Sequence, residues 1–155
     1  MIERALSMTQ PWATLVVATE IPGGGKSVEN RKPGFSHKSF RGEFYIHAAR
    51  GGSVEEYQAA YAWVLGHLGK EVADRIPDFD CIQRCGIIGA ARAVGIVAPG
   101  SAVKVIAEVD YRWHMLDQWG FELVDRRRVR FVPCRGYLGF WRVPADVLAK
   151  LQEAA

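Results

Sequence analysis

The chain has 155 residues, 49% of them apolar and 24% charged, with a formal net charge of +3. This length and balance predict one domain, residues 1–155, with enough apolar surface for a packed core, and exclude a disordered or collagen-like chain. The start carries Glu3 and Arg4 with no apolar stretch behind it, and the longest apolar run, Gly86 to Ala98, is too short to span a bilayer and holds Arg92, so neither a signal peptide nor a membrane segment is expected and the reading is cytoplasmic.

Ala5 to Met8 reads as a first strand. Pro11 suits the first turn of a helix, and Trp12, Leu15, Val16 and Thr19 fall at helical spacing, so a helix is predicted to about Ala18. Pro22-Gly23-Gly24-Gly25 ends it in a loop of wide backbone freedom, which would let the chain approach a ligand closely. Ser27 to Arg31 and Gly42 to Ala48 read as strands separated by a polar loop with Pro33 and Gly34. Ser53 followed by Glu56 is a capping-box signature for a one-sided helix carrying Val54, Tyr57, Tyr61, Val64, Leu65 and Leu68. A shorter helical piece is predicted over Lys70 to Arg75. Gly86 to Val97 reads as a long strand in which Gly89 and Gly95 mark bulges or bends. Val103 to Trp113, Trp119 to Val129 and Gly136 to Val143 are predicted to be extended, and Pro144 opens a closing helix through Leu151. Strands first and last, with helices between, predict an α+β fold: a small, mostly antiparallel β-barrel decorated by helices.

The charge is unevenly spread. Lys26 to Arg50 holds six basic residues against Glu29 and Glu43, and Arg126 to Arg142 holds six arginines and no acid. The remaining chain has eight basic and fifteen acidic residues. Brought together, the two basic segments, which include Arg31, Arg41, Arg126, Arg127, Arg128 and Arg135, make a face suited to phosphates; kept apart, they are solvated loops. The odd count of three cysteines argues against a disulfide framework, and the spacing of Cys81, Cys85 and Cys134 is not that of a zinc site. Neither a metal nor a cofactor is expected.

Four short pieces carry more information: Leu6-Ser7-Met8-Thr9-Gln10-Pro11-Trp12-Ala13, Gly25-Lys26-Ser27-Val28-Glu29-Asn30-Arg31, Phe40-Arg41-Gly42-Glu43-Phe44-Tyr45-Ile46-His47-Ala48, and Cys134-Arg135-Gly136-Tyr137-Leu138-Gly139-Phe140-Trp141. The order L-S-x-x-Q-P-W, G-x-K-x-x-E-x-R, R-G-x-x-x-I-H-A resembles the ASCH domain, which is related to the PUA fold. The resemblance runs from about Ala5 to Trp141. It implies a PUA-like barrel with a cleft beside the lysine motif and an association with nucleic acid, RNA above all. Some members of the family are ribonucleases, and small relatives deacetylate N4-acetylcytidine. Carried onto this chain, it implies Lys26, Glu29 and Arg31 as cleft residues with Gln10, Trp12 and His47 as neighbours. The deacetylating relatives have a threonine three residues after the lysine; Glu29 stands there here, as in the branch that resembles transcription-coactivator ASCH domains.

The residues themselves support two chemistries. In a strand from Ser27, side chains alternate, so Ser27, Glu29 and Arg31 share a face and Val28 turns inward. Lys26 at the loop-to-strand junction is a phosphate anchor if exposed, and a base or nucleophile if packed between apolar walls; the exposed anchor is the expected state. Trp12 is a core residue or a stacking platform for a base. His47, sharing a strand face with Tyr45, is a structural histidine or, beside Lys26 and Glu29, an acid or base for cleaving RNA. Two functions follow: an RNA-binding module using Gln10, Trp12, Arg31, Arg41, Tyr45 and the arginines Arg126, Arg127, Arg128 and Arg135, or a small hydrolase of RNA or a modified nucleoside using Lys26, Glu29 and His47.

Overall fold

A computed structural model describes residues 1–153. In chain order the elements are β1 (Arg4–Met8), α1 (Trp12–Val17), β2 (Val28–Arg31), β3 (Gly42–Ala48), α2 (Val54–Leu68), α3 (Lys70–Ala73), β4 (Gly86–Val97), β5 (Trp119–Pro133), β6 (Phe140–Arg142) and α4 (Ala145–Glu153), with single 3₁₀ turns at Pro22–Gly24 and Tyr111–Trp113. The six strands form one sheet in the order β2-β5-β4-β3-β1-β6. All neighbours run antiparallel except β1 and β3. The sheet curls into a half-barrel, giving an α+β fold of six strands and four helices. No helix among the described residues is long and apolar enough to cross a membrane.

Alternation along the strands sorts the core into two faces. Leu6 and Phe140 point inward with Phe44, Ile46, Phe121 and Leu123, and α1 closes this concave side through Ala13, Val16 and Val17. Their neighbours Ala5 and Trp141 point outward to Ile87 and Val132, where α4 covers them with Val147 and Leu151. A third cluster joins α2 and α3 to Leu15, Val28 and Trp113. β4 bends against β5 at three register shifts, between Ile87 and Gly89, Ala90 and Arg92, and Ala93 and Gly95. Gly89 serves a second need. A Cβ there would lie 2.2 Å from Val17 Cγ1, so only glycine lets α1 settle onto the sheet.

The capping box of α2 is present, with Ser53 Oγ accepting from Glu56 N and Glu56 accepting from Ser53 N. Two expected strands change. Residues 103–110 are irregular rather than extended. Asp110 accepts from Arg112 N and folds the chain into the Tyr111–Trp113 turn, while the Tyr111 hydroxyl accepts from the amides of Val105 and Ile106. Val103 and Val105 stay exposed, so their β-branching finds no sheet to join. The last strand shortens to Phe140–Arg142, because the Gly136–Gly139 segment loops out, with Gly139 at a φ of +65°.

β2 and β6 are the two edges of the sheet. The space near these edges is crossed by side chains. Arg31 Nη2, at the end of β2, donates to Ser7 O on β1 at 2.9 Å. Phe35 meets Phe121 edge-on at 5.9 Å and leans on Phe140 at 6.4 Å. A cleft opens beside this bridge.

Candidate nucleobase cleft

The cleft has a volume of about 560 Å³ and is lined by Ser7, Met8, Thr9, Trp12, Lys26, Glu29, Asn30, Arg31, Lys32, Phe35, Ala49, Met115, Gln118 and Leu138. Lys26, Glu29 and Arg31 therefore meet at one place, together with Trp12. Gly25 seats the first of them. Its φ is +83°, and a Cβ would lie 2.7 Å from Ala18 O, so its backbone passes close under the end of α1 and lets Lys26 N donate to Leu15 O at 2.9 Å. The glycine serves approach to a helix, not to a ligand as expected from the sequence.

Lys26 is 1% exposed, which overturns the expectation of an exposed phosphate anchor. Its ammonium donates to Glu29 Oε2 at 2.5 Å and lies 5.6 Å from the centroid of the Trp12 ring. Arg31 Nη2 donates to Glu29 Oε1 at 3.0 Å. One buried carboxylate thus holds two cations, one on each oxygen. Burial pushes the Lys26 amine below its ordinary range; Glu29 pulls the other way, while Arg31 and Arg126 add to the depression. Burial works to raise the Glu29 carboxyl, but Lys26 and Arg31 outweigh it and hold it below its ordinary value. The floor of the cleft therefore carries more positive than negative charge. It also has donors to spare. Lys26 has two further N–H groups with no protein acceptor among the described residues, and Arg31 Nε is buried without a partner.

Asn30 is committed to structure. It donates to Trp113 O at 2.9 Å and accepts from Met115 N at 2.9 Å, fixing the segment that supplies Met115 and Gln118 to the cleft wall. Trp12 packs edge-on against Trp63 at 5.8 Å and also lines the cleft. Gln10 does not line the cleft. It is buried, donating to Gln83 O at 2.7 Å and accepting from Thr14 N at 3.0 Å, and so pins the start of α1.

His47 is not beside Lys26 and Glu29. It lines a second, adjacent cleft of about 870 Å³ with Arg50, Cys85, Cys134, Arg135, Gly136 and Tyr137; Ser7, Ala49 and Leu138 belong to both clefts. The surroundings of His47 fix its state. A carbonyl only accepts, so Nε2 carries the proton that goes to Cys134 O at 3.0 Å. Nδ1 then accepts from Ser7 Oγ at 3.2 Å, and Ser7 Oγ in turn accepts from Trp141 Nε1 at 3.0 Å. Burial lowers the imidazole below its ordinary 6.5, with the Cys134 carbonyl opposing. Nitrogen-detected imidazole spectra at neutral pH are expected to show His47 neutral with the proton on Nε2. A charged ring, or a proton on Nδ1, would contradict this chain of bonds.

The other predicted residues lie outside the first cleft. Arg126 is half-buried and donates to Val16 O at 3.2 Å behind α1. Arg127 pairs with Glu43 at 3.1 Å and Arg128 with Glu20 at 2.5 Å. Arg41 is held by the carbonyls of Lys38 and Phe40. Tyr45 packs on the outer face of the sheet, against the cluster of Ala5 and Trp141. Arg135 sits in the second cleft, its guanidinium 5.3 Å from the Tyr137 ring. Phe35, Lys32 and Leu138 were not singled out from the sequence. Their loops reach the cleft only through the curl of the sheet, which no local pattern reports.

No family model matches the chain, and no curated protein does. Solved structures similar to it include two of one bacterial protein. The ASCH protein of Zymomonas mobilis shares 14% identity over 97% of this chain and 94% of its own, with a TM-score of 0.47. A serine-to-alanine variant of that protein gives 13% identity, the same coverage and a TM-score of 0.48. Both are ASCH proteins, the family that the motifs of this sequence resemble.

Proposed function

We propose that this chain is a nucleic-acid-binding domain of the ASCH type, and that its cleft takes one unstacked RNA base against Trp12. The observation that carries the reading is the buried Lys26 ammonium, with two N–H groups to spare, lining the cleft beside Arg31 and beneath walls made of Trp12, Met8, Phe35, Met115 and Leu138. Unmatched buried donors cost stability, and an acceptor-rich flat ligand discharges that cost. A nucleobase offers carbonyl oxygens and ring nitrogens at its edge and an apolar face to an aromatic ring, which is how single-stranded RNA is read. The volume lies within the range of small-ligand sites.

Replacing Trp12 with Leu keeps an apolar side chain against Trp63 and removes the aromatic face. Affinity for a short fluorescent oligoribonucleotide is expected to fall about five- to hundredfold, the loss that goes with one base–aromatic stack. Affinity equal to that of the unaltered chain would remove Trp12, and with it the base, from this cleft.

One observation favours a second reading, hydrolysis of RNA or of a modified nucleoside such as N4-acetylcytidine. A buried amine held below its ordinary range, 2.5 Å from a carboxylate and lining a cleft, is a candidate base or nucleophile. Lys26 in its neutral form accepts a proton from an attacking hydroxyl, and Glu29 keeps it aimed. His47, satisfied on both ring nitrogens in the adjacent cleft, has no part in this chemistry.

A further inference from the structure

Resting on that reading, we infer that the second cleft seats the nucleotide adjoining the one held at Trp12, with Leu138 wedged between the two bases and Arg50 and Arg135 on their joining phosphate. Leu138 is 98% exposed at the tip of its loop. An isolated exposed leucine is ordinary; this one stands on the wall common to both clefts. Its loop is held at either end. A Cβ on Gly136 would lie 2.3 Å from His47 Cε1 and 2.7 Å from Ser7 Oγ, so the backbone there is seated hard on the Ser7–His47 pair. At the other end Phe140 is buried, its ring stacked on that of Phe40 at 3.9 Å. These two anchors fix the ends of the loop that carries Leu138. Apolar side chains inserted between base steps are a known means of holding a nucleotide out of its stack.

Charge supports the same occupant. Arg127 and Arg128, away from the clefts, are paired with acids. Arg50 and Arg135 line the second cleft and, among the described residues, make no ion pair within 4.0 Å. Free guanidiniums suit a phosphodiester, which they grip in a fork. Arg135 with Tyr137 also offers a planar surface for the second base.

The test uses the full chain and a tetraribonucleotide carrying two adjacent 2-aminopurines, whose mutual stacking quenches their emission, with a single ribonucleoside as the companion probe. The unaltered chain is expected to bind both, the tetranucleotide more tightly, and to raise its emission on binding. Leu138→Ala, at a fully exposed position, is expected to bind the tetranucleotide more weakly and, at saturation, to leave the emission quenched. The double variant Arg50→Gln with Arg135→Gln is expected to lose about tenfold or more in tetranucleotide affinity and to keep its nucleoside affinity. Emission that rises equally with Leu138→Ala, or tetranucleotide affinity untouched by the arginine changes, overturns the neighbouring seat. Trp12-dependent nucleoside binding with no gain from the second nucleotide also sinks this inference alone. Failure to bind either probe sinks the nucleobase cleft itself, and this inference with it.

Discussion

Glu29→Gln is expected to destabilise the chain by about 3–5 kcal/mol at neutral pH, the cost of stranding a buried cation by removing its partner. For a chain of this length that is a fall in melting temperature on the order of 10 °C. The size follows from the position: one carboxylate, 5% exposed, is the acceptor for both Lys26 and Arg31. The pH dependence separates this cause from a mere loss of shape. In the folded chain the Glu29 carboxyl lies below its ordinary 4.5, so as pH falls the unfolded chain takes up the proton first. The stabilisation is present above about pH 4.5 and is lost as pH drops through the lower folded value; Glu29→Gln lacks that acid limb. Lys26 acts at the other end. Its folded value lies below 10.5, so in the window beneath 10.5 the unfolded chain binds more protons and stability rises with pH. With Glu29 gone, nothing opposes the depression of Lys26, and the variant is expected to recover part of its stability on the alkaline side. Denaturant melts from pH 3 to 10 measure both limbs. A loss under about 1 kcal/mol, or a pH profile parallel to that of the unaltered chain, would mean that the three side chains do not depend on one another as their distances say.

Much of this arrangement was legible in the sequence, and the part that was not has a physical reason. Alternation along Ser27–Arg31 is a local property, so it placed Glu29 and Arg31 on one face and turned Val28 into the core. The capping box of α2 and the bulges at Gly89 and Gly95 are equally local. The state of Lys26 is not local. Whether a lysine is exposed or buried depends on α1 and Trp12 arriving over it, so the expected phosphate anchor became a buried group paired with Glu29. His47 failed for a similar reason. Strand β3 carries it into the second cleft and not the one that Lys26 lines, and Ser7 and Cys134 engage both of its nitrogens. The basic runs could not be resolved by counting. Counting charges left open whether Lys26–Arg50 and Arg126–Arg142 form one face or solvated loops; the fold divides them, pairing Arg127 and Arg128 with Glu43 and Glu20 but bringing Arg50 and Arg135, one from each segment, to the second cleft.

Lys26 decides between a binder and a hydrolase. Lys26→Met keeps the length and the apolar stem and removes every donor at the cleft floor except those of Arg31. Each hydrogen bond from a charged donor is worth about 1.5–3 kcal/mol, so nucleoside affinity is expected to fall by about tenfold or more. The same change leaves Glu29 with Arg31, so the carboxylate is not stranded. Lys26→Arg is the discriminating partner. It retains positive charge and donors toward both Glu29 and a ligand, but it cannot give up a proton at any working pH. Because the site is buried and tight, a melting curve must accompany it to show that the larger head is accommodated. If the cleft only binds, a folded Lys26→Arg chain is expected to keep nucleoside affinity within a few-fold while Lys26→Met loses it. If Lys26 works as a base or nucleophile, both variants are expected to lose hydrolysis of RNA or of an acylated nucleoside by about a hundredfold or more, and Lys26→Arg to do so with its binding intact. Product analysis by mass spectrometry, run beside the binding titration on the same preparations, reads the two outcomes apart. The expected result is the binder's pattern, because the spare donors of Lys26 and Arg31 need only an acceptor to be satisfied, whereas turnover would also require Lys26 to shed the proton that Glu29 now draws toward itself.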